Sequence, residues 1–435
     1  TGHERIGPMS SGHGRVLLAG GGIGGLTTAL CLHRAGLDVT VFEAVAEPRE
    51  LGVGINLLPH SVRVLDDLGL ADDLAEVGVA TSELRFCSDD GVLIWSEPRG
   101  LAAGNPWPQI SVHRGRLQMM LLDAVRSELG ADRVLTGHRI ESFSQDGESS
   151  GHQVEARFVD RSGAEVAVER GSVLVGCDGL HSVVRRHLVG DEGPPHHSGL
   201  VLWRGAVEMA PYLDGRTMFM AGHDNQKAVV YPIRGPREPG GTVLTNWVAE
   251  RPVAIGGDRA DADWNAPVDP GDIAPWFADW DFGWIDVGEV IAATDVAYEF
   301  PMVDRHPLER WTDGRVTLLG DAAHPMRPNG SNGASQAILD GEALARSLSA
   351  SDDPSAALLA YEQERRDPTS RLVLANRQAG PERVMQWVAD RCDGACGPAT
   401  GGRHVCVTTD VLEREANAYK ELAGFDLATL RNLAD

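Results

Sequence analysis

The chain has 435 residues, of which 39 are Lys or Arg and 63 are Asp or Glu, so its formal net charge is −24 at pH 7. This length is enough for a large core and two or three structural lobes. The acidic balance argues against nucleic acid or an anionic membrane surface as the main partner. No apolar run approaches the roughly 18 residues that a membrane-spanning helix needs, so we expect a soluble enzyme.

The start of the chain and its cysteines indicate the compartment. Residues 1–14 are polar and glycine-rich, which predicts a disordered leader rather than a signal peptide. Six cysteines in a chain of this length indicate free thiols in a reducing, cytoplasmic compartment. Cys392, Cys396 and Cys406 lie near one another, but they form no C-x-x-C pair, so we predict no metal site.

The first motif is a glycine-rich turn between a short apolar strand and a helix predicted over residues 23–33. Gly20, Gly22 and Gly25 have the G-x-G-x-x-G spacing, which permits a tight turn and close approach to a pyrophosphate at the helix N-terminus. A second strand ends in Glu43, an acid placed to hold a ribose hydroxyl. The alternative is an ordinary glycine loop, which the combination of strand, helix and acid disfavours.

The next segments combine a second glycine loop with mixed helices and strands. Residues 51–56 contain Gly52 and Gly54, which are typical of an ordinary turn but also let the backbone approach a flat ligand. Periodicity predicts helices at 60–68 and 117–129, a strand pair within 84–95 that turns at 88–91, and strands near 133–142, 153–160 and 164–169.

A second motif follows another apolar strand at 173–176. Asp178 and Gly179 are followed by Ser182 and Arg185, which gives D-G-x-x-S-x-x-R. An aspartate at this position can simply cap the helix that begins after it. Capping does not require the accompanying Gly, Ser and Arg, so a functional role is the favoured interpretation and capping stays open.

Residues 198–300 change in character. Strand-like segments separated by turn signals, with little helix, predict an inserted, mostly antiparallel sheet with strands at 200–208, 216–221, 227–233 and 242–249. Aromatic clusters are more often core than ligand platforms, so we assign no ligand role to Trp264, Trp276, Trp280 and Trp284.

The third motif again places an acid after a buried strand. The segment 315–325 ends its strand at Gly320 and Asp321, and the loop 329–334 leads into a helix predicted over Ser335–Leu348. A helix N-terminus directed at a ligand stabilises negative charge there. The sequence beyond residue 350 is largely helical and predicts a cap or interface lobe.

The three motifs resemble, in content and order, the fingerprints of the single-component FAD-dependent aromatic hydroxylases of the p-hydroxybenzoate and salicylate hydroxylase type. The resemblance extends roughly from Gly14 to Asn376. Further segments, among them 52–56, 203–205 and 332–341, look like the phenazine hydroxylase branch that serves pyocyanin biosynthesis. This implies a substituted or fused-ring aromatic intermediate of antibiotic biosynthesis as substrate.

The resemblance implies an α/β fold: a Rossmann-like FAD-binding domain, an inserted and mostly antiparallel β-sheet substrate domain, and a C-terminal helical segment. We expect the FAD-binding domain to be discontinuous and the substrate domain to come from two insertions. The expected boundaries are 15–83, 107–197 and 300–350 for FAD binding, 84–106 and 198–299 for the substrate, and 351–435 for the helical segment.

The resemblance also implies which residues hold the cofactor. The glycine turn would hold the FAD pyrophosphate, Glu43 the adenosine ribose, Arg114 the phosphates and ribityl chain, and Asp321 a ribityl hydroxyl. Asp178 would lie on the pyrophosphate side, where NAD(P)H also touches. The helix that begins near Asn332 would face the flavin N1 and C2 carbonyl and favour the anionic reduced flavin. The cofactor residues so implied are Gly20, Gly22, Ile23, Gly24, Gly25, Glu43, Gly54, Arg114, Asp178, Asp321, Asn332, Gly333 and Ala334.

The implied reaction is a monooxygenation. NAD(P)H reduces FAD, O2 adds at flavin C4a, and the hydroperoxide transfers one oxygen to an electron-rich carbon of a small aromatic substrate. No second glycine fingerprint follows residue 43, so we expect NAD(P)H to bind only transiently. The alternatives are a flavin-dependent dehydrogenase or reductase of the same fold and a non-catalytic redox or binding module. We expect a monomer or homodimer.

The substrate is expected to lie between the flavin and the inserted sheet. For three of the candidates a purely structural role stays open: Arg204 could pair with Glu208, Tyr231 could belong to the core of the sheet, and Arg327 could lie in solvent. If either arginine faces the ring, it favours a carboxylate or phenolate. No His or Glu stands out as a required base, and we assign no catalytic residue. The candidate wall residues are Arg204, Tyr231, Pro325, Met326 and Arg327.

Overall fold

The computed structural model describes residues 14–145, 153–252, 266–378, 380–391 and 407–434. None of the helices within these ranges combines the length and apolarity needed to span a bilayer. Free thiols occur at Cys31, Cys87 and Cys177. The predictions for residues 1–13, Trp264, Cys392, Cys396 and Cys406 lie outside the described residues.

Strands and helices alternate in the first half of the chain, and helices dominate its end. The strands are β1 (Val16–Ala19), β2 (Val39–Glu43), β3 (Gly54–Leu57), β4 (Gly78–Thr81), β5 (Glu83–Cys87), β6 (Leu93–Pro98), β7 (Gln109–His113), β8 (Val134–Thr136), β9 (Arg139–Gln145), β10 (Val154–Val159), β11 (Glu165–Gly171), β12 (Val173–Gly176), β13 (His196–Met209), β14 (Thr217–His223), β15 (Gln226–Arg234), β16 (Val243–Pro252), β17 (Ala266–Val268), β18 (Ala297–Asp304) and β19 (Val316–Leu318). The helices are α1 (Ile23–Arg34), α2 (Pro59–Asp67), α3 (Ala71–Val77), α4 (Arg114–Leu129), α5 (Val183–Val189), α6 (Pro270–Ile273), α7 (Val287–Ala292), α8 (Gly333–Ser349), α9 (Pro354–Arg377), α10 (Arg383–Arg391), α11 (Thr409–Ala423) and α12 (Leu427–Ala434).

A five-stranded parallel sheet forms the centre of the part of the fold that carries the glycine-rich turn. Its strand order is β19-β12-β1-β2-β8. The continuous apolar runs of β1 and β12 are fully buried, as parallel strands covered on both faces must be. Helix α1 packs against α4 and α8. Because parallel strands end at one edge, the turn after β1, the Asp178 motif after β12 and the Asp321 motif after β19 converge there.

The inserted sheet has eight strands in the order β17-β18-β13-β16-β15-β14-β5-β6. Neighbours are antiparallel except for the parallel pair β14 and β5. The strands predicted between 200 and 249 and the strand pair within 84–95 are all present. Trp280 is 7% exposed and belongs to the core beneath this sheet, whereas Trp276 is 54% exposed and stacks against Arg251.

The C-terminal helices close over the other face of this sheet. Side chains of α10 and α11 share one apolar cluster with strands β5, β14, β15 and β16. Two smaller sheets, β3-β7-β4 and β11-β10-β9, complete the fold. The predicted fold class is confirmed, and the exact domain boundaries stay a prediction.

Candidate active site

A cavity of about 350 Å³ lies between the converging motifs and the eight-stranded sheet. Residues of the predicted cofactor site and of the predicted substrate site both line this cavity, so the fold brings the two sites together. The lining residues that the sequence predicted are Gly22, Ile23, Gly24, Gly25, Arg114, Arg204, Tyr231, Asp321, Met326, Arg327, Asn332, Gly333 and Ala334.

The glycine turn requires its glycines for two different reasons. Gly20 has φ +123°, and a Cβ there would lie 2.2 Å from the carbonyl oxygen of Cys177. A Cβ at Gly25 would lie 2.1 Å from the carbonyl oxygen of Gly20, so α1 can approach the turn only without a side chain. A Cβ at Gly22 would meet nothing within 4 Å. Gly22 therefore borders open cavity space that a ligand can occupy.

Two helix N-termini face this cavity. Helix α1 begins at Ile23 and helix α8 at Gly333, and neither has a side-chain hydrogen bond capping its first turn. Uncapped N-terminal amides are donors without partners and carry the positive end of the helix dipole. The cavity therefore favours an anionic or electron-rich ligand at two places.

Two predicted cofactor acids support the turns and do not line the cavity. The Glu43 carboxylate accepts hydrogen bonds of 2.7 Å from the amides of Gly21 and Val45. The Asp178 carboxylate accepts from the Ser182 hydroxyl at 2.5 Å and from the Val183 amide at 2.7 Å, which caps α5. Capping, the alternative raised for Asp178, is therefore realised. Direct contacts of Glu43 and Asp178 with a cofactor stay predictions.

Arg185 explains why the second motif contains an arginine. Its side chain is 2% exposed, pairs with Glu192, and donates hydrogen bonds of 3.0 and 2.9 Å to the carbonyls of Ala322 and Ala323. The second motif thus supports the loop that follows Asp321 in the third. Sequence reasoning noted Arg185 but did not find this role.

Arg114 and Asp321 both direct charge into the cavity. Each is exposed, and neither makes a hydrogen bond through its side chain or an ion pair with any of the described residues. Arg114 begins α4, and Asp321 follows β19. Both side chains are therefore available to a ligand.

The loop before α8 is held by the C-terminal helices. The Asn332 amide donates to the Tyr419 hydroxyl at 2.7 Å, and that hydroxyl donates to Asn376 Oδ1 at 2.8 Å. All three side chains are buried, and Asn332 Oδ1 has no partner there. Tyr419 lies 87 residues from Asn332, and no local pattern in the sequence indicated this contact.

Arg204 and Tyr231 meet at one backbone carbonyl in the cavity wall. Arg204 Nη2 donates to the Gly54 carbonyl at 2.6 Å, and the Tyr231 hydroxyl donates to the same oxygen at 2.8 Å. Gly54 itself is buried outside the lining, and its amide donates to Asn246 Oδ1 at 2.7 Å. Burial raises the pKa of Tyr231, against the opposing effect of Arg204, so the phenol is neutral.

Arg204 does not pair with Glu208, and Arg327 does not lie in solvent, so the alternative structural roles of these two arginines are not found. Glu208 pairs with Arg234 instead of Arg204, and Arg204 Nε is buried without a hydrogen-bond partner. Arg327 is 12% exposed at its side chain, and its Nε lies 3.0 Å from Asp304 Oδ2, so its charge is compensated. Pro325 is buried and does not line the cavity.

A charged cluster in the cavity wall escaped the sequence reasoning. Lys227 Nζ lies 2.8 Å from Glu250 and also pairs with Glu382, and both carboxylates belong to the cavity lining. The three residues come from β15, β16 and the turn 380–382. No motif links positions this far apart, so only the fold shows them together.

Comparison with known proteins identifies the family. A sequence profile described as an FAD binding domain matches residues 14–274 and 286–376, which is most of the chain. The chain belongs to this FAD-binding family. The phenazine 1,6-dicarboxylic acid hydroxylase of Lysobacter antibioticus is 46% identical over 364 residues, covering 83% of this chain and 89% of the relative. The 3-amino-4-hydroxybenzoate 2-monooxygenase PtmB3 of Streptomyces platensis is 34% identical, covering 88% and 93%.

The fold is shared with solved structures of this type. The crystal structure of Klebsiella pneumoniae HpxO complexed with FAD and uric acid superposes with a TM-score of 0.72 and covers 97% of both chains, at 24% sequence identity. The chain is therefore an FAD-dependent flavoprotein monooxygenase that hydroxylates an aromatic substrate. The predicted cofactor, enzyme class and reaction are confirmed.

The described residues fit FAD. The open space at Gly22, the two uncapped helix N-termini, and the unpaired Arg114 and Asp321 supply space and polar groups for a phosphate-bearing, hydroxyl-rich cofactor. Within the described ranges, no cluster of three or more His, Cys, Asp or Glu side chains could hold a metal ion.

Proposed function

We propose that this monooxygenase hydroxylates a fused-ring aromatic carboxylic acid whose ring carries an electron-donating O–H or N–H group, with NAD(P)H as transient reductant. The relative with 46% identity is a phenazine 1,6-dicarboxylic acid hydroxylase, and its similarity covers most of both chains. The wall formed by the eight-stranded sheet suits a broad, flat ring, because its lining is mostly apolar. The apolar members of this wall are Leu202, Met218, Met220, Val229 and Val248.

The observation that carries the proposal is that the Arg204 guanidinium has no counter-ion among the described residues. Its guanidinium lies in the cavity wall, has a buried Nε without a partner, and forms no ion pair with the described residues. An arginine in a dry wall binds a carboxylate strongly, since planar N–H donors match two carboxylate oxygens. Arg327 is a weaker candidate, because Asp304 already compensates its charge.

Each part of the site has a task in the reaction. Bound FAD, once reduced by NAD(P)H, supplies O2 activation, and the balance is ArH + O2 + NAD(P)H + H⁺ → ArOH + H2O + NAD(P)⁺. Arg204 orients the ring through its carboxylate, and the apolar wall excludes water from the reacting face. The buried Tyr231 hydroxyl and Arg204 together hold the Gly54 carbonyl, and so the loop 52–54, in place.

We also propose that NAD(P)H binds only briefly. The described residues form one parallel sheet with a glycine-rich turn, which is a dinucleotide-binding fold. Because FAD occupies this fold, NAD(P)H would bind from solution without a domain of its own. Use of NAD(P)H supports the predicted cytoplasmic location. A monomer or homodimer stays our expectation.

The test screens ring systems and charge together in the FAD-loaded enzyme. A hydroxyphenazine carboxylic acid, its carboxamide and salicylate are compared for stimulated NAD(P)H oxidation, O2 uptake and hydroxylated product. We expect the hydroxyphenazine carboxylic acid to be preferred over both. Oxidation of NAD(P)H without O2 uptake for every compound would contradict the proposal and favour a dehydrogenase.

Variants locate the carboxylate. Arg204→Met should raise KM for the acid about 10-fold to 100-fold, the loss of one charge-assisted contact, and raise KM for the carboxamide much less, since the carboxamide loses only the support of the Gly54 loop. Arg234→Met is the matched control, because Arg234 lies on the same sheet but pairs with Glu208 outside the cavity. Equal effects of Arg204→Met on acid and carboxamide would show that Arg204 only supports the Gly54 loop.

A further inference from the structure

The cavity-facing side of the eight-stranded sheet carries charge in two adjacent cross-strand rows. Glu250 lies directly opposite Leu202 on β13 and Lys227 on β15. Arg204 lies opposite Val248, two residues before Glu250 on the same face. Diagonal neighbours of this kind are roughly 7 to 8 Å apart. A ring whose carboxylate meets Arg204 is therefore large enough to reach the row of Glu250.

Glu382 enters the same row from the turn 380–382. It pairs with Lys227 and accepts a 2.8 Å hydrogen bond from Asn329 Nδ2, in the loop before α8. Glu382 is 8% exposed, Glu250 5% and Lys227 6%. Glu382 therefore touches both the sheet wall and the loop that leads to the flavin-facing helix.

The cluster holds one more acid than base. Two carboxylates share the single ammonium of Lys227, and a net buried charge is costly in a low-dielectric interior. Burial raises the pKa of Glu382 to about 7, the charge of Glu250 adds to the rise, and Lys227 opposes it. Burial thus favours the neutral form of Glu382, a carboxyl group at the cavity wall.

We propose that Glu382 is the acid–base residue of the hydroxylation, and that it contacts an O–H or N–H group of the substrate ring. The proposal deepens the proposed function and rests on it. The carboxylate accepts the proton of the ring substituent, so that the substituent donates its electron pair into the ring. Asn329 and Lys227 hold the Glu382 carboxylate, and Glu382 lines the cavity.

The proton balance closes within the cycle. The substituent's O–H or N–H bond breaks and its proton moves to Glu382, which becomes a neutral acid. After one oxygen atom has been added to a ring carbon, that carbon loses its own hydrogen as a proton, and the C–H electron pair restores the aromatic ring. Glu382 returns its proton to the substituent, and the proton from carbon leaves to solvent. Glu382 ends the cycle ionised.

Charged groups on the elements that pack against the turn 380–382 are paired with one another. These elements are α9, α10 and α11, and the β15–β16 pair supplies Lys227 and Glu250. Burial raises the pKa of Tyr419 on α11, so its phenol does not compete as a base at neutral pH. Arg377 on α9 pairs with Asp304 on β18, and Arg383 on α10 pairs with Glu415 on α11.

The test has a spectroscopic and a kinetic part, both on the FAD-loaded enzyme. Infrared difference spectra record the C=O stretch of protonated carboxyl groups across pH 5 to 9, with and without a hydroxyphenazine carboxylic acid. We expect a band that titrates near pH 7, is lost in Glu382→Gln, and gains intensity when the hydroxylated acid binds. Glu362→Gln is the matched control, since Glu362 is also buried but bonds Thr312 far from the cavity.

Kinetic measurements distinguish an acid–base role of Glu382 from a purely structural one. Glu382→Gln should lower kcat about 100-fold and remove the ionisation near pH 7 from the kcat profile, with FAD content and KM nearly unchanged. A loss of kcat that leaves the pH profile intact, or a titrating band that survives in Glu382→Gln, would overturn the proposal. If no aromatic acid is hydroxylated by the unmodified enzyme, the proposed function fails instead, and the infrared titration still reports whether Glu382 carries the proton.

Discussion

The carboxylate of Asp340 on α8 lies 2.6 Å from His324 Nε2 in the loop that carries Asp321. The same carboxylate accepts from the Gly320 amide at 3.0 Å and from Arg365 Nε at 2.7 Å. Asp340 thus fixes the Asp321 turn to the helix whose N-terminus faces the cavity. Burial alone would raise the pKa of Asp340, but His324 and Arg365 lower it to about 2.

We predict that Asp340→Asn destabilises the protein by about 3 to 5 kcal/mol at neutral pH, because Arg365 loses its buried counter-charge. The pKa of Asp340 is lowered by folding, so its contribution is complete above the unfolded value of about 3.9 and is lost as the pH falls toward 2. Urea unfolding at several pH values measures this. Asp313→Asn, at an exposed pair, should change stability by less than about 0.5 kcal/mol.

Tyr419→Phe tests whether the C-terminal helices hold the flavin loop. The change leaves the buried Asn332 amide without its 2.7 Å partner, which costs about 1 to 3 kcal/mol. We expect weaker FAD retention, measured by flavin fluorescence. Tyr361→Phe removes a comparable buried hydroxyl that bonds Leu318. If both variants retain FAD equally well, Tyr419 contributes only to general stability.

Asp321→Asn and Glu43→Ala should affect FAD in different ways. Asp321 is exposed to the cavity without a partner among the described residues, so its loss should weaken FAD binding and leave the melting temperature of the flavin-free protein unchanged. Glu43 holds two backbone amides. Its loss should therefore lower both the free energy of FAD binding and the free energy of unfolding of the flavin-free protein, each by on the order of 1 to 3 kcal/mol. Unchanged flavin content in both variants would show that neither acid serves the cofactor.

Lys227→Met tests the buried cluster through stability. Glu250 and Glu382 would lose their only close cation in the described part of the chain, at a cost of about 3 to 5 kcal/mol at neutral pH. A carboxyl whose pKa is raised by folding binds more protons in the folded state, so stability falls as the pH rises from about 4.5. Thermal unfolding at pH 5 and 8 should show a larger deficit at pH 8. An equal deficit at both would contradict this reasoning.

The features of the fold that were predicted correctly are those that short segments encode. Gly20, Gly25 and Asp321 lie in single strand–turn–helix units, and their spacing reflects the geometry of that unit, while their contacts with the cofactor stay predictions. Glu382, Lys227 and Tyr419 could not be found in this way, because a long-range pair leaves no period or spacing in the sequence. Arg185 shows the intermediate case: the motif identified the residue, but its partners at Ala322 and Ala323 belong to another motif.

The most direct measurement follows the oxygen atom. The FAD-loaded enzyme is given a hydroxyphenazine carboxylic acid, NAD(P)H and oxygen gas enriched in the heavy isotope, and the product is analysed by mass spectrometry. We predict a hydroxylated product that carries one labelled oxygen atom per NAD(P)H oxidised. An unlabelled product, or full consumption of NAD(P)H and O2 with only hydrogen peroxide formed, would contradict the assignment of fused-ring aromatic acids as substrates of this monooxygenase.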